Sequence, residues 1–96
     1  MRRLYLVAYD ISDPGRLRKV FKTMRGFGDH LQFSVFQCDL TATARVEMQA
    51  ALEDIIHHEK DKVLIIDLGL TEARPVKDIQ ALGRQKGLVK RGPVIV

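Results

Sequence analysis

The stretch Leu4-Tyr5-Leu6-Val7-Ala8-Tyr9-Asp10-Ile11, followed at once by Ser12-Asp13-Pro14-Gly15, decides how this chain is read. Residues 4–11 are almost continuously apolar, β-branched or aromatic. That is the pattern of a strand buried on both faces, hence of a central strand. The tetrad after it stops the strand and starts a helix. Asp13 suits an N-cap, and Pro14 suits the first helical position, where a missing N–H costs nothing. One acid, Asp10, is left at the exit of the strand.

Working outward, Leu17, Val20, Phe21, Met24 and Phe27 recur at helical spacing and predict an amphipathic helix over 14–26, stopped by Gly26 and Gly28. Residues 30–38 (HLQFSVFQC) return to strand character, as one bent strand or as two short strands kinked near Ser34. Thr41 caps a second helix over 42–58, with Met48, Ala51, Leu52 and Ile55 as its stripe. Glu59-Lys60-Asp61-Lys62 reads as a charged connector, and residues 63–68 as another buried strand. Residues 70–92 are weakly patterned, with one short helix near 76–82, and Pro93-Val94-Ile95-Val96 forms a last strand without cover of its own. Two helices on one face of a small antiparallel sheet are the economical packing for this order. The expectation is a single α+β ferredoxin-like sandwich over 1–96, βαββαβ, whose extra C-terminal strand joins the sheet edge of a second subunit.

Size and composition narrow the function. A chain of 96 residues makes one domain with a real core, but a deep private cleft is not expected. A site should be shallow or shared between two copies. The 46% hydrophobic and 29% charged content excludes wholesale disorder. No apolar run approaches the ~18 residues of a membrane span. A cytoplasmic protein with no membrane partner is expected. The single Cys38 excludes an intrachain disulfide and a cysteine-based zinc cage, and reads as a small buried apolar side chain.

The net charge of +4 conceals segregation along the chain. Arg16, Arg18, Lys19, Lys22 and Arg25 fall in a stretch with no acid. At 100° per residue, Arg18, Lys19, Lys22 and Arg25 lie opposite the apolar stripe, on the solvent face of the first helix. A solubilising face usually mixes signs, and this one does not, which points to phosphate-backbone contact. Arg84, Lys86, Lys90 and Arg91 form a second basic segment. Residues 42–72 between them hold seven acids and three bases, and this acidic middle is expected to face away from nucleic acid.

Asp10 invites a metal. Mg²⁺ takes one or two carboxylates, several waters and phosphate oxygens, and can activate water at a scissile phosphate. One carboxylate per chain is thin, but two copies of Asp10 facing across a dimer two-fold would make a pair. His57 and His58 close the second helix, where a cation suits the dipole, and match no zinc spacing. Ser34 has no evident base partner. Arg25-Gly26-Phe27-Gly28 imitates the start of an RNA-recognition signature, which fails at Asp29-His30 and sits at a helix end instead of on a strand.

Several of these residues together carry a resemblance. Tyr9-Asp10-Ile11-Ser12-Asp13, Arg16-Leu17-Arg18-Lys19-Val20, Leu31-Gln32-Phe33-Ser34-Val35-Phe36-Gln37-Cys38, Glu59 to Gly69, and Gly92 to Val96 occur in order. The set resembles the CRISPR-associated adaptation nuclease family, the smaller of the two universal CRISPR adaptation proteins. The resemblance implies a ferredoxin-like homodimer with a crossing C-terminal strand. It implies Mg²⁺ held between two Asp10 side chains, with Arg16 and Arg18 near nucleic acid. Tyr9, Ser34 and Phe36 stand in its motifs and are expected to support the site. Members are described as metal-dependent endonucleases on RNA or double-stranded DNA, and as subunits bridging copies of a larger integrase during spacer acquisition. Two departures stand out: His30 where many members have Arg, and Gln37 in place of the usual Glu. The competing readings are a DNA-binding scaffold without physiological nuclease activity and, from another class, a regulatory module binding a small metabolite.

Overall fold

The structure, a computed structural model, describes residues 1–73 together with Gln80, Leu82 and Gly83. The expected helix near 76–82 falls largely outside the described residues. The C-terminal strand and the segment Arg84, Lys86, Lys90 and Arg91 lie wholly outside them.

The first strand, β1 (Arg3–Asp10), is central as its composition predicts, but it is not buried on both faces: Leu4, Tyr5, Val7 and Tyr9 are buried, whereas Leu6 and Ala8 are half-buried. Asp13 then caps the helix α1 (Pro14–Arg25) by accepting the Arg16 N–H through its side chain. Two strands follow, β2 (Asp29–Gln32) and β3 (Val35–Leu40), so residues 30–38 resolve into a hairpin with Phe33 and Ser34 as its turn. Thr41 caps α2 (Ala42–Ile55), and β4 (Lys62–Leu70) completes the sheet before a single 3-10 turn at Thr71–Ala73. The strand order is β2-β3-β1-β4 and every pairing is antiparallel. Two split βαβ units interlock in this way, which is the ferredoxin-like arrangement expected from the sequence.

The core lies between the sheet and the two helices. Tyr5, Val7 and Tyr9 of β1, Phe36, Cys38 and Leu40 of β3, Val20 and Met24 of α1, and Met48 and Leu52 of α2 are buried there. Burial pushes the Cys38 thiol up to about 12, with the nearby Asp29 charge adding to it, so this cysteine stays a neutral apolar filler.

Three further expectations need correction. The helix α2 ends at Ile55, not residue 58. Ile56 is extended, and the His57 N–H goes to the Asp61 carboxylate, so the histidines form a turn instead of a helix end. β4 is not buried on both faces: it is an edge strand in which Val63 and Ile65 face the core while Leu64 and Ile66 are exposed. A continuous apolar run cannot distinguish these cases, because both faces carry the same residue types. Leu17, expected in the buried stripe of α1, is 38% exposed at the helix's open end.

Gly28 joins α1 to β2 where backbone crosses backbone. A Cβ there would lie 2.5 Å from Cys38 Sγ and would overlap the Gln37 carbonyl oxygen. The obstruction is β3 itself, which cannot yield without disturbing the core. Gly28→Ala is expected to cost about 1–3 kcal/mol, as overpacking does, and urea unfolding of the two proteins would measure it. Equal midpoints would show that the hairpin shifts freely.

Candidate active site

Strand alternation places Asp10. Tyr5, Val7 and Tyr9 point toward the helices, so Leu6, Ala8 and Asp10 belong to the opposite face, which neither α1 nor α2 covers. Register confirms the set: Leu6 stands opposite Ile66 and Ala8 opposite Leu64, both exposed. Asp10 is exposed at the strand's end, and its carboxylate makes no hydrogen bond or ion pair among the described residues. Among those residues no three His, Cys, Asp or Glu side chains gather to cage a metal. A group bound at Asp10 would therefore take at most two such side chains from the described residues. That suits Mg²⁺, which keeps most of its shell as water and phosphate oxygen, and does not suit a tightly caged ion.

Tyr9, Ser34 and Phe36 converge immediately behind Asp10. The Tyr9 N–H donates to the Ser34 carbonyl at 3.0 Å, and the Tyr9 ring stacks on Phe36 with centroids 6.3 Å apart. Burial raises the Tyr9 phenol above its ordinary value, partly offset by its hydrogen bond with the Ser34 side chain. Tyr9 is thus a neutral support and no base. Ser34, tied to Tyr9, has no base of its own.

The cationic residues divide. Arg18, Lys19, Lys22 and Arg25 are exposed along α1, as the helical projection predicts. Arg16 is occupied: its Nε donates to Asp61 Oδ2 at 2.7 Å, and its Nη2 to Asp61 Oδ1 at 3.2 Å and Ser12 Oγ at 3.1 Å. The structure gives Arg16 the work of tying α1 to the start of β4. The α1 bases lie on the outer side of the helix layer, whereas Asp10 lies on the side of the sheet away from the helices. No single phosphate sits against both; a nucleic acid touching them must pass around the molecule.

Asp61 is the residue that sequence reasoning missed. It looks like one more charge in Glu59-Lys60-Asp61-Lys62, yet its side chain is fully enclosed while its neighbours are exposed. Its one sequence signal is position, an acid one residue before an edge strand that returns beside β1.

An open groove of about 280 Å³ runs between α2 and β4, with Arg45, Gln49 and Glu53 on one wall and Val63 and Ile65 on the other. It lies on the helix side, away from Asp10. Its open walls, where Arg45, Gln49 and Glu53 stand beside the apolar residues, are not the dry apolar pocket a metabolite-binding module would need.

A sequence profile of the family described as CRISPR associated protein Cas2 matches residues 1–74. The chain belongs to the Cas2 family. It is 45% identical over its full length to all of the CRISPR-associated endoribonuclease Cas2 of Geobacter sulfurreducens. It is 45% identical over 96% of its length to 89% of an endoribonuclease Cas2 of Rhodospirillum rubrum. Among solved structures, Streptococcus pyogenes Cas2 superposes with a TM-score of 0.69 at 31% identity, covering 83% of this chain and 99% of that one. Against the Cas2 pattern, the two departures have defined places. His30 packs edge-on against Phe21 at 5.0 Å and its Nε2 meets the Phe33 carbonyl oxygen at 2.7 Å. A carbonyl only accepts, so Nε2 carries the proton. Gln37 is buried in β3 opposite Leu6, where an uncharged amide is less costly to enclose than a glutamate.

Proposed function

We propose that this chain is a Mg²⁺-dependent endonuclease of CRISPR adaptation. It acts as a homodimer on RNA or double-stranded DNA, and it bridges copies of a larger integrase in spacer integration. The observation that carries the reading is the exposed Asp10 carboxylate, unpartnered among the described residues and delivered by a central strand of the sheet. The names of its relatives put RNA first among substrates. Mg²⁺ bound there would supply charge neutralisation at the phosphate and a water of lowered pKa. Asp10 would hold it, the Tyr9–Ser34–Phe36 set would fix the strand end, and Asp61 would fix the turn that follows.

Dimerisation is supported by the sheet face that neither helix covers. Leu64 is 51% and Ile66 43% exposed beside Leu6 and Ala8, on an edge strand with no outer partner among the described residues. Long apolar edges invite pairing with another chain. A two-fold through this face would bring two Asp10 side chains toward one phosphate.

A second reading, the scaffold without physiological cleavage, is favoured by one observation: the basic face of α1 is on the other side of the molecule from Asp10. Such a face can grip duplex DNA with no part in chemistry. The test is cleavage of labelled RNA and duplex DNA by the purified full chain, with Mg²⁺, with a chelator, and after Mg²⁺ is restored. Cleavage that appears, disappears and returns is expected. No cleavage with Mg²⁺, beside DNA binding that weakens steeply with salt, would leave the scaffold.

A further inference from the structure

Phe33 is the oddest residue of the described chain on two independent counts. It has a positive φ of 37°, the only non-glycine among the described residues to do so. It is also 88% exposed. Two-residue hairpin turns call for positive φ at their first central position, which is why glycine or asparagine usually stands there. A bulky aromatic residue in that region is a true outlier. An exposed apolar side chain alone would mean little. A strained one that buries nothing contributes to neither packing nor turn stability, and such outliers gather at functional sites.

Its position says which function. The β1–β3 ladder pairs Ala8 with Val35, and the Tyr9 N–H then meets the Ser34 carbonyl at 3.0 Å. Phe33 directly precedes Ser34 in the turn, so it lies at the end of β1 that carries Asp10. The turn is held in place: protonated His30 Nε2 donates to the Phe33 carbonyl at 2.7 Å. The His30 ring in turn packs against Phe21, over which the Arg25 guanidinium lies 5.8 Å from the centroid. The aromatic turn is thereby fixed both to the strand that ends in Asp10 and to the basic helix. Exposed aromatic rings beside cationic surfaces stack nucleobases, and they do so without regard to sequence.

We propose that Phe33 is a stacking platform for an unpaired nucleobase next to Asp10, so that the site prefers single-stranded or unstacked nucleic acid. The inference rests on the nucleic-acid reading of Asp10 but concerns binding alone. The test is therefore run in chelator, where cleavage plays no part. A short RNA carrying 2-aminopurine is titrated with the full chain, single-stranded and as a blunt duplex, using wild type, Phe33→Asn, Phe33→Ala and Phe33→Trp.

Wild type should quench the fluorophore in the single strand. Phe33→Asn and Phe33→Ala should lose the quenching and weaken single-strand affinity by about tenfold or more, with duplex affinity changed less than twofold. Phe33→Trp should retain both. Asparagine tolerates positive φ, so Phe33→Asn should melt no lower than wild type, which separates lost stacking from lost fold. Equal weakening of single strand and duplex, or no weakening, would overturn the proposal. So would a fall in melting temperature for Phe33→Asn, or a shift of either variant toward monomer in sedimentation, since the ring would then be packing against protein. A chain that binds as described yet never cleaves with Mg²⁺ would leave the platform standing and remove only the nuclease.

Discussion

Asp10→Asn is expected to lower Mg²⁺-dependent cleavage by about 10³-fold or more, the rate equivalent of the several kcal/mol of charge stabilisation that a bound metal supplies. Asparagine keeps the size and one acceptor oxygen but removes the charge. Asp61, which accepts from Ser12 just beyond the strand, is already taken up by Arg16, Ser12 and His57, so it does not replace the lost carboxylate. The fold should not notice. The Asp10 carboxylate is exposed and makes no ion pair among the described residues, so the melting temperature should move within about 2–4 °C, the shift of roughly half a kcal/mol in a domain of this size. Affinity for duplex DNA should also persist, because the exposed bases of α1 are untouched. A matched loss of cleavage and stability would mean that Asp10 is structural. Undiminished cleavage would remove the carboxylate from the chemistry and leave the scaffold reading.

Much of this was legible before any coordinates. The strand through Asp10, the Asp13 cap, the length of α1 and the one-signed α1 face all follow from local rules: continuous apolar character, capping chemistry and helical projection. They succeed because each depends on residues close in sequence. What failed to show depends on residues far apart. Leu64 and Ile66 read as buried because an apolar run says nothing about which sheet position the strand takes. The edge position of β4 is set by how two βαβ units interlock. Arg16 reads, with Arg18, as a cation near nucleic acid. Only the return of the chain 45 residues later, bringing Asp61 beneath it, separates it from Arg18. Phe33 passed unnoticed between Gln32 and Ser34 because a turn conformation leaves no mark on a residue that does not suit it.

Asp61→Ala should give the largest loss of stability of any charge removal among the described residues, a fall in melting temperature on the order of 10 °C or more. The enclosed carboxylate accepts from the Ser12 N–H at 3.0 Å and Ser12 Oγ at 3.1 Å, the His57 N–H at 2.8 Å, and Arg16 Nε at 2.7 Å. Alanine leaves the two backbone donors without partners. Arg16, at 26% side-chain exposure, can turn partly to solvent, so stranded N–H groups more than a stranded charge set the loss. Asp61→Asn should recover little, since its amide NH₂ must face other donors, either the Ser12 N–H and Arg16 Nη2 or Arg16 Nε and the His57 N–H.

The effect has a pH signature. The Arg16 guanidinium, and then the backbone N–H groups of His57 and Ser12, hold the Asp61 carboxyl well below the usual carboxylate range. An unfolded chain takes up that proton near pH ~4, while the folded chain resists. The stabilisation is therefore full above that value and is lost as pH falls toward the depressed folded value. Urea unfolding of wild type and Asp61→Ala should differ most at neutral pH, with the gap narrowing in strong acid. A gap that stayed constant into acid would mean that the carboxylate's shape, and not its charge, holds the turn. No gap at neutral pH would mean that Asp61 anchors nothing. Because Ser12 lies two residues beyond Asp10, the same variant should also lower kcat at temperatures where it remains folded. Asp61 would then be a positioning residue for the carboxylate it never touches.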